Sequence, residues 1–483
     1  MPVTLTLSSN RPVIGADRPA VTTLGSRDHI NPTTGKPQAI VLIGGAAEID
    51  AAARAAVAGH RAWMDLGPEG RRDRLNRLAN LIEVETAPLI EMAALECGTP
   101  LATNSTGLAL SWIRYYAGWA DKIEGTYSEP FGVNAIAYAR HEPIGVIGVI
   151  IPWNSPLVAI AMTAVLALAG GNAVVLKPPT QSPFVALRFG ELALEAGLPP
   201  GALNVVPGDA EAGEALIAHA AVGKVSFTGG EAVAKAVMRT ASEHLKPLAL
   251  ELGGKSANIV FADADLDKAA AMAAGSSLVA LAGQGCVLPT RVYAQSTIFD
   301  DFVERVRTVA QGFTLGDPLD PATVVGPVIN EAAAQRIMGV IDRARSECGG
   351  TLIAGGRRGQ GALAAGSFVE PTIFAGVDHD SQLAREEVFG PVLTIVRFQD
   401  DSDAVRMAND SRFGLGAYLH TRDVSRAHKM AAQLQAGCVA VNGILPMSPN
   451  QPFGGFKQSG FGREGGRPGL EEFMQIKQVL IHL

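Results

Sequence analysis

Two periods of hydrophobic residues divide the chain into regions of different predicted structure. Within residues 71–85, apolar residues from Leu75 to Ile82 recur at the spacing of one helix face, with basic residues on the other face. Upstream, the alanine-rich residues 51–64 predict another helix, with Asp50 as its N-cap. The first third of the chain is therefore predicted to be mostly helical.

Residues 127–141 follow a period of two, which is the period of a strand. Ala135 and Ala137 alternate with bulkier or polar residues, and Phe131 and Gly132 offer a turn. The pattern predicts a hairpin with few charges that stands apart from its neighbours. Because a two-stranded hairpin is only marginally stable alone, we expect it to pack on another surface, and a second copy of the chain could supply one.

From residue 144 onward, continuous apolar strands alternate with helices. The predicted strands cover residues 144–151, 173–176, 203–206, 224–227, 248–250, 257–261, 291–294 and 391–398. The predicted helices cover residues 157–168, 183–196, 211–219, 231–241, 266–281, 299–310, 332–347 and 402–409. Strands that are apolar throughout are covered on both faces, so the pattern predicts an α/β fold with parallel, doubly wound sheets. The alternation restarts after Gly254, which predicts a second domain.

Composition narrows the classes of partner. The 483 residues carry a net charge of −7, which argues against a nucleic acid partner. The longest apolar run, residues 157–169, is too short to span a bilayer, and residues 1–15 lack the pattern of a signal peptide. The four cysteines form no Cys-x-x-Cys pair, so neither a disulfide framework nor a metal site is expected. We therefore expect a soluble cytoplasmic protein without metal, membrane or nucleic acid partners.

One cysteine, Cys286, lies in a flexible run in which two glycines flank Gln284. A thiolate nucleophile needs space on one side and donors for the charge that develops, and glycine backbone with positive φ allows a ligand to approach closely. By itself the run is more typical of a small buried residue. A Gly-x-Gly-x-x-Gly match at residues 460–465 follows polar residues rather than a strand, and is not a dinucleotide-binding fingerprint.

Unusual residues also gather at the ends of the predicted strands, where parallel sheets bind ligands. In chain order the segments are Pro152-Trp153-Asn154, Lys177-Pro178, Phe227-Thr228-Gly229, Glu251-Leu252-Gly253-Gly254-Lys255, Gly283-Gln284-Gly285-Cys286, Glu387-Val388-Phe389-Gly390-Pro391 and Pro452-Phe453-Gly454-Gly455-Phe456-Lys457. With these motifs in this order, the chain resembles the aldehyde dehydrogenase superfamily from about residue 31 to the C-terminus. The separation between Glu251 and Cys286 is also similar to that of the family.

The resemblance implies three catalytic residues. Cys286 matches the nucleophile that attacks the aldehyde carbonyl and later carries a thioester. Asn154 matches the side chain that stabilises the oxyanion together with the Cys286 backbone N–H, a kind of donor whose removal costs about 10²–10³ in rate. Glu251 matches the general base that activates water to hydrolyse the thioester. The implied activity is the oxidation of an aldehyde to its carboxylic acid.

The resemblance also implies NAD or NADP as cofactor. Lys177 matches the residue at the adenosine ribose, Glu387 the one at the nicotinamide ribose, and Phe389 the one packed near the nicotinamide. The other implied cofactor positions share the same cleft, and they are Ile151, Trp153, Thr180, Gly229, Gly230 and Leu252. The implied parts of the fold are a nucleotide-binding domain (1–125 and 144–253), a catalytic domain (254–455) and an oligomerisation element (126–143 and 470–483). A homodimer or homotetramer is therefore expected.

Three positions depart from the family pattern. Gly230 replaces a serine whose hydroxyl could reach the pyrophosphate of the cofactor. Thr180 stands where NAD-preferring members often carry a glutamate, so with Lys177 nearby we expect the site to tolerate the 2′-phosphate of NADP. Thr163 replaces a lysine that, with Glu464, would move protons away from the site. Deacylation is then expected to use water and Glu251 alone.

Other functions of the same fold stay open at this point. One is a CoA-acylating or semialdehyde dehydrogenase, although CoA-acylating members usually lack the glutamate that Glu251 matches. Another is a catalytically inactive binding protein. The uncharged residues 443–452 favour an uncharged aliphatic, terpenoid or aromatic aldehyde, although Arg114 lies in the same region. Four aromatic residues either line a substrate tunnel or pack in the core: Trp112, Tyr115, Tyr116 and Phe453.

Overall fold

The computed structural model describes residues 10–483. Its strands are β1 Ser26–Ile30, β2 Pro37–Leu42, β3 Thr126–Ser128, β4 Ala135–Pro143, β5 Val146–Ile150, β6 Ala173–Lys177, β7 Leu203–Val205, β8 Val222–Gly229, β9 Leu248–Leu252, β10 Ala257–Val260, β11 Arg291–Gln295, β12 Thr351–Ala354, β13 Thr372–Ala375, β14 Val392–Phe398, β15 Phe413–Gly414, β16 Gly416–His420, β17 Cys438–Val441, β18 Phe456–Lys457, β19 Gly460–Phe461 and β20 Met474–His482.

The helices are α1 Ala46–Asp65, α2 Gly67–Val84, α3 Thr86–Cys97, α4 Thr106–Ala117, α5 Pro156–Met162, α6 Ala164–Ala169, α7 Phe184–Glu195, α8 Ala210–Ala218, α9 Glu231–Glu243, α10 Leu266–Ala274, α11 Phe299–Gln311, α12 Glu331–Glu347, α13 Gln382–Arg385, α14 Asp401–Asn409, α15 Val424–Gln433 and α16 Gly466–Glu471. The signal-peptide expectation for residues 1–15, and the start of the domain expected from residue 1, lie partly outside the described residues.

Two largely parallel sheets form the framework. The first has six strands in the order β19-β9-β8-β5-β6-β7, in which only β19 pairs antiparallel. The second has seven strands in the order β12-β13-β14-β11-β10-β16-β17, in which only the edge strand β12 pairs antiparallel. The predicted α/β fold is confirmed, and the chain passes from one sheet to the other between β9 and β10.

Alternate residues of the central strands face opposite layers of helices. In β5, Ile147 and Val149 pack with residues of α2, α4 and α7, whereas Val146 and Ile150 pack with residues of α1, α8 and α9. Every residue of β5 is buried as a result. Burial on both faces is the physical reason that this strand is apolar throughout.

A separate sheet of three antiparallel strands, in the order β20-β4-β3, lies apart from the two large sheets. The predicted hairpin is confirmed, because β3 pairs antiparallel with β4. The third strand comes from the C-terminus, where Met474 pairs with Pro143 and His482 with Ala135. The sheet therefore joins the two segments, 126–143 and 470–483, that the resemblance assigns to one element.

Three helical predictions differ from the structure by a turn or more. The helix predicted over residues 71–85 begins earlier, at Gly67. The helix predicted from Asp50 begins instead at Ala46, because the Glu48 carboxylate accepts the backbone N–H of Gly45 and caps the helix a turn earlier. The single helix predicted over residues 157–168 is wrong, since α5 and α6 are separated at Thr163. The Thr163 hydroxyl donates to the Ala159 carbonyl oxygen at 2.6 Å, a local bond of the kind that bends helices.

Two further predictions are wrong about where an element ends. One is the helix before Cys286, and the other is the strand at Glu251. The helix predicted over 266–281 ends at Ala274, and a π-helical turn covers Gly275–Val279. The strand predicted over 248–250 continues to Leu252, so Glu251 lies within β9 rather than after it. Among the helices of residues 10–483, none is long and apolar enough to cross a membrane.

Candidate active site

The cysteine loop begins with a strained backbone. After the π-helical turn, Leu281 and Ala282 adopt left-handed φ angles of 51° and 50°. Residues with a Cβ rarely adopt such angles, and they persist only where the surrounding structure holds them. The sequence predicts positive φ angles at the two glycines that flank Gln284. The prediction holds for Gly283, with a φ of 71°, and is wrong for Gly285. The strain at the two preceding residues has no signature in the sequence.

Gly283 and Gln284 anchor the loop. A Cβ on Gly283 would lie 2.2 Å from the Gly390 carbonyl oxygen, so only glycine allows this approach. The Gln284 side chain accepts from the backbone N–H of Ile329 at 3.0 Å and donates to the Leu281 carbonyl oxygen at 2.9 Å. These contacts fix the backbone immediately before Cys286.

Two glycines at the end of β9 bring the loop close to Glu387. A Cβ on Gly253 would lie 2.2 Å from Glu387 Oε2, and a Cβ on Gly254 would lie 2.6 Å from the Cys286 carbonyl oxygen. The Gly254 N–H donates to Glu387 Oε1 at 2.9 Å. The glycine pair of the motif therefore allows β9, the cysteine loop and Glu387 to meet.

Asn154, which follows β5, reaches the cysteine loop. Its Nδ2 donates to the Gln284 carbonyl oxygen at 2.7 Å. Because an amide nitrogen carries two hydrogens, a second N–H remains for an oxygen held near Cys286. The side chain is thus placed where it can stabilise a developing negative charge.

Glu251 is buried on β9, and its Oε1 has no hydrogen-bond partner among the described residues. Burial raises the pKa of its carboxyl well above the usual range, with a further contribution from the nearby Glu464 and an opposing one from Arg463. Burial also raises the pKa of Glu464 to about 8. A buried carboxyl with an elevated pKa and no partner is suited to exchange protons.

The thiol of Cys286 lies in an acidic environment. Burial raises the pKa of the Cys286 thiol well above its usual range, and the carboxyls of Glu251, Glu387 and Glu464 raise it further. The thiol is therefore protonated at neutral pH in this state. A reaction at this sulfur needs a group that removes the proton, and Glu251 lies close enough to interact with it.

Trp153 and Phe389 meet at one end of the cleft, with ring centroids 5.5 Å apart in an edge-to-face arrangement. Phe389 has a φ of 49°, and Arg336 donates to the carbonyl oxygens of Val388 at 2.6 Å and Phe389 at 3.3 Å. The guanidinium thus holds the strained segment that follows Glu387. The structure brings these expected cofactor residues together on the Cys286 side of the cleft.

Ile151 and Leu252, at the ends of β5 and β9, are buried and line the same edge of the sheet. Gly229 ends β8 and Gly230 precedes α9, so backbone N–H groups of a 13-residue helix open toward this edge. A Cβ on Gly230 would have no atom within 4 Å, which shows that space is free there. A pyrophosphate fits such a helix N-terminus, and the residues present fit a dinucleotide.

Lys177 and Thr180 lie at the other end of the cleft. Lys177 is buried and donates from Nζ to the Gly208 carbonyl oxygen at 2.5 Å. Burial lowers the pKa of its ammonium to about 8. The Thr180 hydroxyl donates to Asp209 Oδ1 at 2.8 Å.

Several residues that hold the backbone of the site in place were not identified from the sequence. Gln284, Arg336 and Ser459 act through backbone groups, and the Ser459 hydroxyl donates to the Gly253 carbonyl oxygen at 2.8 Å. For Gln284 the signal was its place inside the motif that contains Cys286, whereas Ser459 lies two residues after the motif that ends at Lys457. Arg336 and Asp209 lie outside every motif, and only their contacts reveal them.

Three further residues near the site have clear structural contacts. Cys97 donates from its thiol to the Trp153 carbonyl oxygen at 3.0 Å. Trp112 and Tyr116 are fully buried in the core of the first domain, where Trp112 donates to the Met447 carbonyl oxygen at 2.7 Å. Core packing, rather than a tunnel wall, describes these two aromatic residues.

Comparison with known proteins identifies the family of the chain. The model of the aldehyde dehydrogenase family matches residues 21–479. The chain is 41% identical over 461 residues to aldehyde dehydrogenase 1A1 of Gallus gallus, with 94% of this chain and 89% of that relative covered. It is 40% identical over 467 residues to retinal dehydrogenase 2 of Homo sapiens, with 94% and 88% covered.

A solved structure of an aldehyde dehydrogenase from Bacillus cereus in complex with NAD+ superposes with a TM-score of 0.94 at 35% identity, covering 98% of this chain and 96% of that chain. Family model, relatives and fold agree over nearly the whole chain. The chain therefore belongs to the aldehyde dehydrogenase family and is an NAD(P)-dependent oxidoreductase that oxidises aldehydes to carboxylic acids.

Proposed function

We propose that this protein oxidises an uncharged aldehyde, aliphatic, terpenoid or aromatic, by a hydrolytic mechanism in which Cys286 is the nucleophile. The observation that carries the proposal is the buried carboxyl of Glu251. Its Oε1 has no hydrogen-bond partner among the described residues, and the carboxyl lies close enough to Cys286 to raise the pKa of its thiol. A base in this position can remove a proton both from the Cys286 thiol and from a water molecule.

In the first step, Glu251 removes the thiol proton and the Cys286 sulfur adds to the aldehyde carbon. The carbonyl oxygen becomes an oxyanion, which accepts from Asn154 Nδ2 and from the Cys286 backbone N–H. When bound, the nicotinamide cofactor supplies the acceptor for the hydride that leaves this carbon. The acyl group then remains on Cys286 as a thioester.

Between the two steps, Glu251 releases the thiol proton to bulk water. In the second step, the deprotonated Glu251 takes a proton from water while the water oxygen attacks the thioester carbon. The C–S bond breaks, the carboxylic acid leaves, and Cys286 recovers its proton. Thr163 stands where the family pattern has a lysine, and its hydroxyl donates a hydrogen bond to the Ala159 carbonyl oxygen. The proton therefore leaves through water and Glu251, without a charged side chain at position 163.

The preference for an uncharged substrate has three supports. Residues 443–452 carry no charged side chain. Arg114, the cation of this region, is paired with Glu83 at 2.6 Å and so does not offer a free charge to a carboxylated substrate. The name of one relative, retinal dehydrogenase 2, also refers to an uncharged terpenoid aldehyde.

A panel of aldehydes, assayed for NADH and NADPH formation with and without CoA, tests the proposal. We expect uncharged aldehydes to give the highest kcat/KM and CoA to change neither rate nor product. An acyl-CoA product would instead identify a CoA-acylating enzyme, and a preference for carboxylated aldehydes would identify a semialdehyde dehydrogenase. No turnover of any aldehyde would leave an inactive binding protein.

We also propose that residues 126–143 and 470–483 pair copies of the chain into a homodimer or homotetramer. In this scheme residues 1–125 and 144–253 bind the cofactor and residues 254–455 carry the nucleophile. The support is the apolar exposure of the three-stranded sheet, where the exposed fraction is 64% for Tyr127 and 69% for Ile476. Light scattering of the purified protein would give the mass.

We place the protein in the cytoplasm. All four cysteines are free thiols, which suits a reducing compartment. Fractionation of the source cells, followed by immunodetection of the chain, would test this location.

A further inference from the structure

A carboxylate from a second loop lies beside Thr180. The Thr180 hydroxyl donates to Asp209 Oδ1 at 2.8 Å, although the two residues are 29 positions apart in the sequence. Thr180 follows β6 and Asp209 follows β7, and these strands are parallel neighbours. Their carboxyl ends therefore lie side by side at the ligand-binding edge of the sheet.

The two loops are tied together at more than one point. Lys177 Nζ donates to the Gly208 carbonyl oxygen at 2.5 Å, and the Gly208 backbone N–H donates to the Pro178 carbonyl oxygen at 3.2 Å. The charge of Asp209 also acts on Lys177, where it opposes the effect of burial on the ammonium pKa. The Asp209 carboxylate is thus held next to both residues expected at the adenosine ribose.

The side chain of Asp209 does not stabilise the start of its own helix. It precedes α8, but its side chain forms no capping hydrogen bond. Its Oδ2 pairs with Arg27 at 3.0 Å, and the exposed side-chain fractions are 40% for Asp209 and 58% for Arg27. The carboxylate is therefore accessible to a ligand, with one cation at its outer side.

We propose that Asp209 replaces the glutamate that Thr180 lacks and makes NAD the preferred cofactor of this enzyme. A carboxylate here accepts a hydrogen bond from a ribose 2′-hydroxyl and repels a 2′-phosphate. This inference refines the nicotinamide-dependent activity and reverses the expectation, based on Thr180 alone, that NADP is tolerated. Arg27 is held by Asp209 and is not free to bind the phosphate.

Calorimetric titration of NAD+ and NADP+ into the protein, without aldehyde, tests the proposal. For the unchanged chain we expect NADP+ to bind about a hundredfold more weakly than NAD+, the scale of a like-charge contact. Asp209→Asn keeps the size of the side chain and removes its charge. This variant should bind NAD+ about tenfold more weakly, because a charge-assisted hydrogen bond is lost, and it should bind NADP+ more tightly.

Glu214→Gln is the matched control, because Glu214 is an exposed carboxylate on the same helix, and it should leave both affinities unchanged. Arg27→Gln added to Asp209→Asn should remove the gain in NADP+ affinity, since the released guanidinium would bind the phosphate. Equal affinities for the two cofactors in the unchanged chain would overturn the proposal, as would an unaltered ratio in Asp209→Asn. These titrations need no substrate, so they stand apart from the outcome of the aldehyde panel.

Discussion

At the scale of single residues, the site is defined by buried titratable groups whose pKa values are raised. Cys286 is surrounded by three carboxyls that raise the pKa of its thiol, after the larger effect of burial. Glu251 has an unpaired oxygen, and Glu464 has no cation that lowers its pKa. Burying such groups costs stability, and arrangements of this kind are concentrated at functional sites.

Replacing the nucleophile should separate chemistry from folding. We expect Cys286→Ala to lower kcat/KM by more than about 10⁴-fold, because no other group can carry the acyl intermediate. The steady-state rate of NAD(P)H formation measures this. Cys438→Ala is the control, since Cys438 is a half-buried thiol that packs against the same core. If Cys286→Ala kept full activity, the assignment of the nucleophile would be refuted.

The elevated pKa of Glu251 predicts the direction of the pH dependence. A base works only when deprotonated, so kcat for hydrolysis should rise from neutral to alkaline pH. Glu464→Gln removes a carboxyl that raises the Glu251 pKa when it is ionised, on the alkaline side of its own pKa of about 8, although burial remains the larger cause. The rising limb of kcat against pH should therefore move to lower pH in Glu464→Gln. A limb that stays in place or moves to higher pH would contradict the coupling of the two carboxyls.

At the scale of elements, the site depends on close approach of backbone segments. Gly253 is a sensitive position, because an added Cβ would lie 2.2 Å from Glu387 Oε2. The carboxylate is the end of a flexible side chain, so it can move away without unfolding the protein. Gly253→Ala should therefore displace Glu387 and weaken cofactor binding by about tenfold, with little change in Tm.

Calorimetry with NAD+ and thermal unfolding would measure the two effects of Gly253→Ala. Gly107→Ala is the control, because a Cβ there would have no atom within 4 Å and the position is helical. A loss of Tm in Gly253→Ala as large as the loss of affinity would mean that the glycine serves the fold instead of the position of Glu387.

The sequence predicts regular strands and helices, and it misses the places where a helix is interrupted. The apolar strands β5 and β6 are predicted well because burial on both faces leaves a continuous hydrophobic run. The break at Thr163 and the π-helical turn before Cys286 are missed, since local hydrogen bonds and strain leave no period in the sequence. Motifs predict the site residues near Cys286, whereas Asp209 and Arg336 depend on contacts between loops distant in sequence.

At the scale of the whole molecule, the side chain of Arg412 links the two domains that contain the large sheets, close to the site. Arg412 contacts Glu231 at the start of α9 and Glu386 at 2.5 Å, next to Glu387. Such a partly exposed pair contributes little to stability. It aligns the helix N-terminus expected at the pyrophosphate with the segment expected at the nicotinamide ribose, so the cleft is shaped by both domains.

The three-stranded sheet is separate from the two large sheets and carries apolar residues that no part of the described chain covers. Ile481 lies directly opposite Ile136, and their exposed fractions are 48% and 38%. Leu480 and Ile476 add exposed fractions of 41% and 69% on the same strand. A strand with this many exposed apolar side chains is unfavourable in water, and a second copy of the chain would bury them.

Ile481→Lys should therefore dissociate the assembly. A lysine in an apolar contact loses its hydration without gaining a partner, which is expected to raise the dissociation constant by about a hundredfold or more. Light scattering across a dilution series measures the mass, and Val84→Lys is the control, since Val84 is an isolated apolar residue with an exposed fraction of 82%. Because Cys286, Glu251 and Asn154 all come from one chain, the dissociated variant should keep its kcat. An Ile481→Lys protein with unchanged mass at every concentration would remove this sheet as the interface.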